Sequence, residues 1–198
     1  MSNPWDERYS GHEYIYGKEP NHFLDEHLDE IPKGHVLSLA EGEGRNGVFL
    51  AKNGCRVTAV DSSAVGLEKA KKLAQENSVS IETVCADLAH YQLETNSYDA
   101  IVSIFCHVPP DARKFLYSQL ADAIKPGGIF LLEAYTPSQI GKGTGGPPVV
   151  EFTTTLDEMK TYLQEFDIVH GVEFDRDVVE GTHHTGIGSV VQIIARRK

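Results

Sequence analysis

Three glycines and one acid form the part of the chain whose residue types and spacing best suit ligand chemistry. Gly42, Gly44 and Gly47 follow a short apolar run in the pattern G-x-G-x-x-G, and Asp61 lies 19 residues after Gly42. Glycine permits a tight turn with positive φ whose backbone lies close against a ligand. An acid about 20 residues beyond such a turn is placed to bind ribose hydroxyls. The spacing predicts that a nucleoside lies across the tips of two parallel strands.

Strands that alternate with helices must hold these residues in place. The apolar run at 36–40 is typical of a strand buried on both faces of a parallel sheet. Predicted strands cover residues 36–40, 56–60, 81–86, 98–105, 129–135, 167–173 and 189–195. Predicted helices cover residues 21–31, 48–51, 64–77, a segment that begins at 109–110, and 155–166. This order predicts an α/β fold: a three-layer Rossmann-like sandwich whose seven-stranded sheet is mostly parallel, with an antiparallel C-terminal hairpin edge.

Size and charge limit the classes of function. The chain has 198 residues and a net charge of −11. An acidic chain is poorly suited to nucleic acid, which is bound by clustered Lys and Arg. No apolar run approaches the roughly 18 residues that indicate a membrane span, and the polar N-terminus has no apolar signal core. We expect a cytoplasmic protein with a small-molecule partner and neither a nucleic-acid nor a membrane partner. Its oligomeric state stays open, with a monomer slightly favoured.

The cysteines and histidines do not follow metal-binding patterns. Cys55, Cys85 and Cys106 are odd in number, form no C-x-x-C pair, and each lies in or next to a predicted strand. Free thiols in a reducing compartment explain them best. The nine histidines contain no H-x-x-x-H or H-E-x-x-H pattern. We therefore expect no metal.

The charge of the glycine turn separates two kinds of nucleoside. In a nicotinamide-dinucleotide enzyme this turn receives a pyrophosphate, but here it carries Glu41 and Glu43, whose carboxylates would repel one. S-adenosylmethionine (SAM) has a sulfonium and an ammonium and no phosphate, so the acidic turn suits it. Arg45 weakens the contrast, because it could offset one glutamate or reach the methionyl carboxylate of SAM. Asp87, followed by Leu88 at the end of the third strand, is placed to accept a hydrogen bond from an adenine amino group.

Five separated motifs occur in an order that resembles the class I SAM-dependent methyltransferases. They read VLSLAEGEGRNGVFLA, AVD, CADL, YDAIVSIF and KPGGIFLLEAY, and the likeness covers about residues 34–197. Within that class, the chain resembles the small bacterial tellurite-resistance and thiopurine-type group. That group also has an N-terminal segment like Trp5-Asp6, Tyr9, Gly17 and Pro20, and a G-x-G-R-N turn.

The resemblance implies a donor site. Asp61 would hold both ribose hydroxyls, and Gly42 and Gly44 would hold the amino-acid part. Tyr9 and Tyr16 would either close over the donor or pack against the first helix. The acid usual in the first strand is Ser38 here, so the methionyl ammonium would be held by the Ala40 carbonyl, with Glu41 as an additional acceptor. The expected cofactor-binding residues are Tyr9, Tyr16, Ala40, Glu41, Gly42, Gly44, Arg45, Asn46, Asp61, Ser62, Asp87, Leu88 and Ile104.

The same resemblance divides the single expected domain, residues 1–198, into three parts. Residues 1–33 would form a donor-closing segment and helix, residues 34–135 the SAM-binding core, and residues 136–198 the acceptor-side loop, helix and hairpin. The glycine-rich stretch at 136–148 is either a mobile lid or disordered, and its part from Gly141 to Gly146 is a further acceptor-site candidate.

Candidates for the acceptor site lie at strand tips and in the C-terminal hairpin. His107 is at the carboxyl tip of the fourth strand, where it would be a general base, a substrate contact or a histidine bonded to loop backbone. Nucleic-acid amino-methyltransferases carry Asn or Asp before Pro-Pro at this point, whereas this chain has Val108. The candidate substrate residues are Cys106, His107, Glu133, His183 and His184.

The sequence therefore predicts an enzyme, a SAM-dependent methyltransferase acting on a small thiol, amine or metalloid oxyanion. S-adenosylhomocysteine (SAH) would be its product. An NAD(P)-dependent oxidoreductase on a minimal Rossmann domain and a non-catalytic SAM-binding protein are the alternatives. The identity of the acceptor is not encoded in the fold.

Overall fold

The predicted seven-stranded α/β sandwich is confirmed by the computed structural model, which describes residues 3–181 and 184–198. Strands β1 to β7 are His35–Leu39, Arg56–Asp61, Glu82–Cys85, Tyr98–Ile104, Ile124–Tyr135, Phe166–Glu180 and His184–Arg197. They form one sheet in the order β3-β2-β1-β4-β5-β7-β6. Strands β1 to β5 pair in parallel, and β7 pairs antiparallel with both β5 and β6.

Helices and 3-10 turns connect the strands. Helices α1 to α7 are Pro4–Tyr9, His22–Glu26, Arg45–Lys52, Ala64–Glu76, Pro110–Tyr117, Leu120–Ala123 and Leu156–Tyr162. The 3-10 turns are Leu28–Glu30, Pro137–Gln139 and Val150–Phe152. Among the described residues, none of the helices is both long and apolar enough to cross a membrane.

Alternation along the central strands creates two apolar layers. In β1 and β4, Leu37 and Ile101 belong to one buried cluster, whereas Val36 and Ala100 belong to another. Successive strand residues point to opposite faces of a sheet, so these clusters lie on its two sides. A strand buried on both faces is apolar at nearly every position, which is why the run at 36–40 predicted β1.

The strand order reverses at β1, which has β2 on one side and β4 on the other. In open α/β sheets such a switch point leaves a crevice outside the carboxyl ends of the strands, where ligands bind. β1 ends at Leu39, directly before the glycine turn, and β2 ends on Asp61. The fold therefore brings the predicted chemistry to one edge of the sheet.

Two element predictions need correction at the C-terminal edge. The hairpin strands were expected to be short, but β6 and β7 have 15 and 14 residues and pair from Phe166↔Arg197 to Glu180↔His184. Gly186 and Gly188, which lie between the two predicted strands, are inside β7. A Cβ on Gly188 would lie 2.9 Å from the Tyr135 ring, so this glycine leaves room for packing and does not mark a turn.

Three further boundaries differ from expectation. The predicted helix at 21–31 is the short α2 followed by a 3-10 turn, and the predicted helix after 109–110 divides into α5 and α6. β5 begins earlier than residue 129, with a register shift opposite Tyr98 and Ala100. Helix α1 had no sequence prediction. The Asn3 side chain accepts a hydrogen bond from Trp5 N and Pro4 occupies the first turn, a capping signal that was available in the sequence.

Candidate active site

A cavity of about 500 Å³ lies at the carboxyl edge of the sheet, above β1, β2 and β4. Its size is within the usual range of small-molecule sites. Its walls come from the N-terminal segment, the glycine turn, the tips of β2 to β4 and the loop before α7. The lining residues are Pro4, Trp5, Arg8, Tyr9, Tyr16, Gly17, Ala40, Glu41, Glu43, Arg45, Asn46, Asp61, Ser62, Asp87, Leu88, Ile104, Phe105, His107, Val108, Pro109, Gly146, Pro147, Pro148 and Phe152.

Close packing explains the glycines of the turn. Gly42 and Gly44 have φ values of 61° and 98°, in the left-handed region that favours glycine. A Cβ on Gly44 would lie 2.6 Å from Ala70 Cα in α4, and one on Gly42 would lie 2.7 Å from Tyr9 Oη. The turn is therefore held between α4 below and an aromatic ring above.

The Asp61 carboxylate is oriented before any ligand arrives. Its Oδ2 accepts a hydrogen bond from Gly42 N at 2.8 Å, and its Oδ1 accepts one from Ser63 N at 2.8 Å. Burial raises the pKa of Asp61, while these backbone donors oppose the rise. The result is a fixed acceptor on the cavity wall at the tip of β2, where ribose hydroxyls were expected.

The two glutamates of the turn have different surroundings. Glu43 forms an ion pair with Lys69, and its Oε2 accepts a hydrogen bond from Ile15 N at 2.8 Å. Glu41 accepts hydrogen bonds from Ser38 Oγ and, at 2.8 Å, from Gly47 N. Burial is the largest influence on Glu41 and raises the pKa of its carboxyl to about 6. Glu43 therefore holds the N-terminal segment, and Glu41 leaves a negative charge at the cavity wall.

The N-terminal segment is anchored over the site by charge and by helix capping. Lys69 Nζ donates to the carbonyls of Gly11 and Glu13 at 3.0 and 2.6 Å. Asp6 Oδ1 accepts from Ser63 Oγ at 2.6 Å at the start of α4. The buried Tyr9 ring stacks on Trp5 at 5.7 Å between ring centroids. These contacts cover the ends of the glycine turn and β2 with an aromatic cap.

Arg45 belongs to a buried ion network that reaches the C-terminal hairpin. Its Nη2 lies 2.6 Å from Glu180 Oε2 in β6. Arg176 bonds both Glu180 and Glu133, and Asn21 Nδ2 donates to the same two carboxylates at 2.8 and 2.6 Å. The network joins the N-terminal segment, α3 and the C-terminal hairpin, so Glu133 does not line the cavity.

The predicted adenine site lies at the tip of β3, on the cavity wall. Asp87 is exposed, and its Oδ1 accepts from Ala89 N at 2.9 Å, which fixes the carboxylate at the tip of β3. Leu88 is buried beside it, and both residues line the cavity. A polar acceptor next to an apolar surface fits a heterocyclic base.

His107 lies on the cavity wall at the tip of β4. Its Nδ1 is 3.2 Å from the Phe152 carbonyl oxygen, and a carbonyl only accepts, so this nitrogen carries the hydrogen. Nε2 is shielded from solvent and has no hydrogen-bond partner among the described residues. Burial lowers the pKa of His107 to about 4, so the ring is neutral at physiological pH. Its ring stacks on Tyr135 at 5.5 Å between centroids.

The structure brings together most of the residues predicted for the donor. Gly42 and Gly44 form the backbone of the turn and are not on the wall, whereas the other predicted cofactor-binding residues line the cavity. Cys106 is buried behind the wall. His183 lies outside the described residues, and His184 opens β7 with a side chain that is not described. In the described ranges, no group of three His, Cys, Asp or Glu is arranged to hold a metal ion.

Several residues that line the cavity were not predicted from the sequence. Phe105 lines the cavity directly after β4, and Pro147, Pro148 and Phe152 line it from the loop between β5 and α7. The long stretch at 136–148 is ordered by Gln139, whose amide donates to Gly145 O at 2.9 Å and accepts from Ser189 N at 2.8 Å. A buried glutamine in a glycine-rich loop gives no sequence signal. The apolar residues after that loop were the available clue.

The fold is a Rossmann-like α/β sandwich, and comparison with known proteins finds methyltransferases among those similar to it. Residues 36–128 match the methyltransferase domain family. A ubiquinone biosynthesis O-methyltransferase of Coxiella burnetii is 33% identical over 96 residues, which is 48% of this chain and 40% of that protein. The chain thus spans well under two thirds of this relative. The matched region contains the glycine turn, Asp61 and Asp87, which are residues predicted to bind the donor.

Solved structures show the same fold over most of the chain. TehB from Haemophilus influenzae superimposes with a TM-score of 0.71 at 21% identity, covering 89% of this chain and 61% of TehB. A SAM-dependent methyltransferase from Mesorhizobium loti superimposes with a TM-score of 0.67 at 20% identity, covering 88% and 95%. Together with the observed sheet, these likenesses show that the fold class predicted from the sequence is correct.

Proposed function

We propose that this protein transfers the methyl group of SAM to a small-molecule acceptor. The observation that carries the proposal is a cavity wall on which Glu41, Asp61 and Asp87 follow one another along the carboxyl edge of the sheet. A dinucleotide pyrophosphate would meet the Glu41 carboxylate of the glycine turn, and Arg45 is held by Glu180. A nucleoside with positive charge and no phosphate fits this wall.

Each end of the wall has a proposed role toward the donor. Asp61 binds the ribose hydroxyls, and Asp87 with Leu88 binds the adenine. Tyr9 and Tyr16 cover the donor from the N-terminal segment, supported by the anchors of Lys69. Bound SAM supplies an electrophilic methyl group on a sulfonium. The protein aligns the acceptor with that methyl and excludes water, which is the main requirement of an in-line displacement.

His107 is the proposed acceptor contact. Its hydrogen-bond geometry leaves the lone pair on Nε2, which can accept a hydrogen from a thiol or an amine. Because burial lowers its pKa to about 4, the ring is a weak base that orients the nucleophile and does not fully ionise it. Phe105, Pro147 and Phe152 form an apolar wall around the same space.

The finer assignments are also proposals. We propose that the acceptor is a thiol, an amine or a metalloid oxyanion. Membership of the tellurite-resistance and thiopurine-type group is a second proposal, supported by the N-terminal motif that contains Trp5 and Tyr9. Cys55, Cys85 and Cys106 are all free, which supports a reducing compartment such as the cytoplasm.

The test is formation of SAH from SAM in the presence of thiol, amine and metalloid acceptors. We expect SAH formation that depends on one acceptor class and is reduced in an Asp61→Asn variant. The variant should bind SAH at least about tenfold more weakly, because it loses a charge-assisted acceptor for the ribose. SAH binding that Asp61→Asn leaves unchanged would contradict the site. Binding without turnover on any acceptor would favour a non-catalytic SAM-binding protein.

A further inference from the structure

A buried arginine on helix α5 lies behind the cavity wall. Arg113 is 5% exposed and is not one of the lining residues. Its Nη1 donates to the Val108 carbonyl at 3.2 Å and to the Glu151 carbonyl at 3.1 Å. Its Nε donates to Glu158 Oε1 at 2.7 Å, in the first turn of α7. A buried charge is costly without partners, and these three contacts place it where three segments of the chain meet.

The two carbonyls that Arg113 binds belong to the two segments that hold His107. Val108 directly follows His107 after the tip of β4, and Glu151 directly precedes Phe152 in the 3-10 turn before α7. The Phe152 carbonyl oxygen lies 3.2 Å from His107 Nδ1 and accepts its hydrogen. The guanidinium therefore sets the separation of the two segments on which the hydrogen bond between His107 and Phe152 depends.

We propose that Arg113 is a positioning residue for the acceptor: it joins the segment after β4 to the 3-10 turn before α7 and so keeps His107 oriented with Nε2 as the accepting nitrogen. The inference rests on the proposed function, because it takes His107 as the acceptor contact. Arginine suits this position because its planar guanidinium presents five donors in fixed directions, so one side chain binds two carbonyls and a carboxylate together. A lysine ammonium is a point charge without this fork.

The charge of Arg113 acts on the same histidine. Burial is the largest cause of the low pKa of His107, about 4, and the positive charge of Arg113 lowers this pKa further. The hydrogen bond to the Phe152 carbonyl opposes both influences. A protonated imidazole donates from both nitrogens, so only the neutral ring can accept a hydrogen at Nε2. Arg113 thus favours both the orientation and the charge state that the acceptor contact requires.

The test is Arg113→Met, with Arg197→Met as its matched control. Arg197, at the end of β7, donates to the Ala121 carbonyl at 2.9 Å and to the Glu165 carbonyl at 3.1 Å, and it pairs with the Glu165 carboxylate at 2.8 Å. It is a similar bridge between segments, but it is not one of the cavity-lining residues and does not contact His107. Both variants should lower Tm, whereas only Arg113→Met should alter His107.

Two measurements separate positioning from stability. In an NMR titration, the His107 ring of the wild type should protonate near pH 4, and in Arg113→Met the midpoint should rise by about one pH unit or more. With an acceptor on which the wild type forms SAH, kcat should fall about ten- to a hundredfold, because the acceptor contact is misplaced. The Kd for SAH should change less than about twofold, since Arg113 has no contact with the glycine turn or Asp61.

A second variant keeps the charge and removes the bridge. Arg113→Lys should fold more stably than Arg113→Met, yet its kcat should remain below that of the wild type, because an ammonium cannot hold both carbonyls and the carboxylate. Full recovery of kcat in Arg113→Lys would overturn the proposal. So would an unchanged His107 midpoint in Arg113→Met, or an equal loss of kcat in Arg197→Met. A wild type that forms no SAH with thiol, amine or metalloid acceptors would instead refute the proposed function itself.

Discussion

Glutamine at position 41 should make the ligand-free protein more stable. The Glu41 carboxyl is buried, with a pKa of about 6 against an ordinary value of 4.5. A raised carboxyl pKa means that the folded state favours the protonated form, so the ionised form destabilises the fold. The two pKa values differ by about 1.5, which corresponds to about 2 kcal/mol at a pH well above 6. Because Glu41→Gln is neutral and nearly isosteric, it removes this cost.

The sign of the pH dependence is fixed by the direction of this pKa change. The stabilising contribution of the protonated Glu41 carboxyl is fully present below pH 4.5 and is lost as the pH rises through about 6. The stability difference between Glu41→Gln and the wild type should therefore be about 2 kcal/mol at pH 8 and under about 1 kcal/mol at pH 5. For a chain of this size, 2 kcal/mol corresponds to a rise in Tm of about 4–8 °C.

Urea unfolding measured by circular dichroism at pH 5, 6, 7 and 8 would check this prediction. Glu19→Gln is the matched control, because it removes the same charge from an exposed position and should change stability by less than about 0.5 kcal/mol at every pH. A Glu41→Gln protein that is no more stable than the wild type at pH 8 would refute the reasoning. A gain of equal size at pH 5 and pH 8 would do the same.

Three other substitutions test the supports of the site. Glu133→Ala should destabilise the fold by about 3–5 kcal/mol in urea unfolding, because it leaves Arg176 charged in a buried network; an effect under about 1 kcal/mol would contradict that. Gly44→Ala should lower Tm and weaken SAH binding, since its Cβ would lie 2.6 Å from Ala70 Cα, and unchanged values would show that α4 moves freely. Lys69→Met should speed SAH dissociation in stopped-flow measurements by releasing the N-terminal segment, whereas an unchanged rate would mean that this segment does not cover the donor.

The buried core strands and the carboxylates of the cavity wall could be predicted because local sequence determines their positions. Apolar runs define β1 and β4, and an acid at the tip of a parallel strand must lie at the carboxyl edge of the sheet. Asp61 and Asp87 therefore line the cavity as the spacing indicated. Glycine spacing predicted the turn, because few residues other than glycine adopt its positive φ values.

Residues whose positions depend on distant partners could not be predicted in this way. Glu133 was a candidate for the acceptor site, but it pairs with Arg176 and accepts from Asn21, which is 112 residues away in the chain. Arg45 lines the cavity, but its pairing with Glu180 had no signal in the sequence. The lengths of β6 and β7 follow from their mutual pairing, and their glycine-containing ends gave no sign of it.

The most direct test of the account is parallel calorimetric titration of the purified protein with SAM, SAH, NADH and NADPH. We predict binding of SAM and SAH and no binding of either nicotinamide nucleotide, because the cavity wall combines Glu41, Asp61 and Asp87 and Arg45 is paired with Glu180. Binding of NADH or NADPH without SAM or SAH would contradict the central claim that this cavity holds a methyl donor.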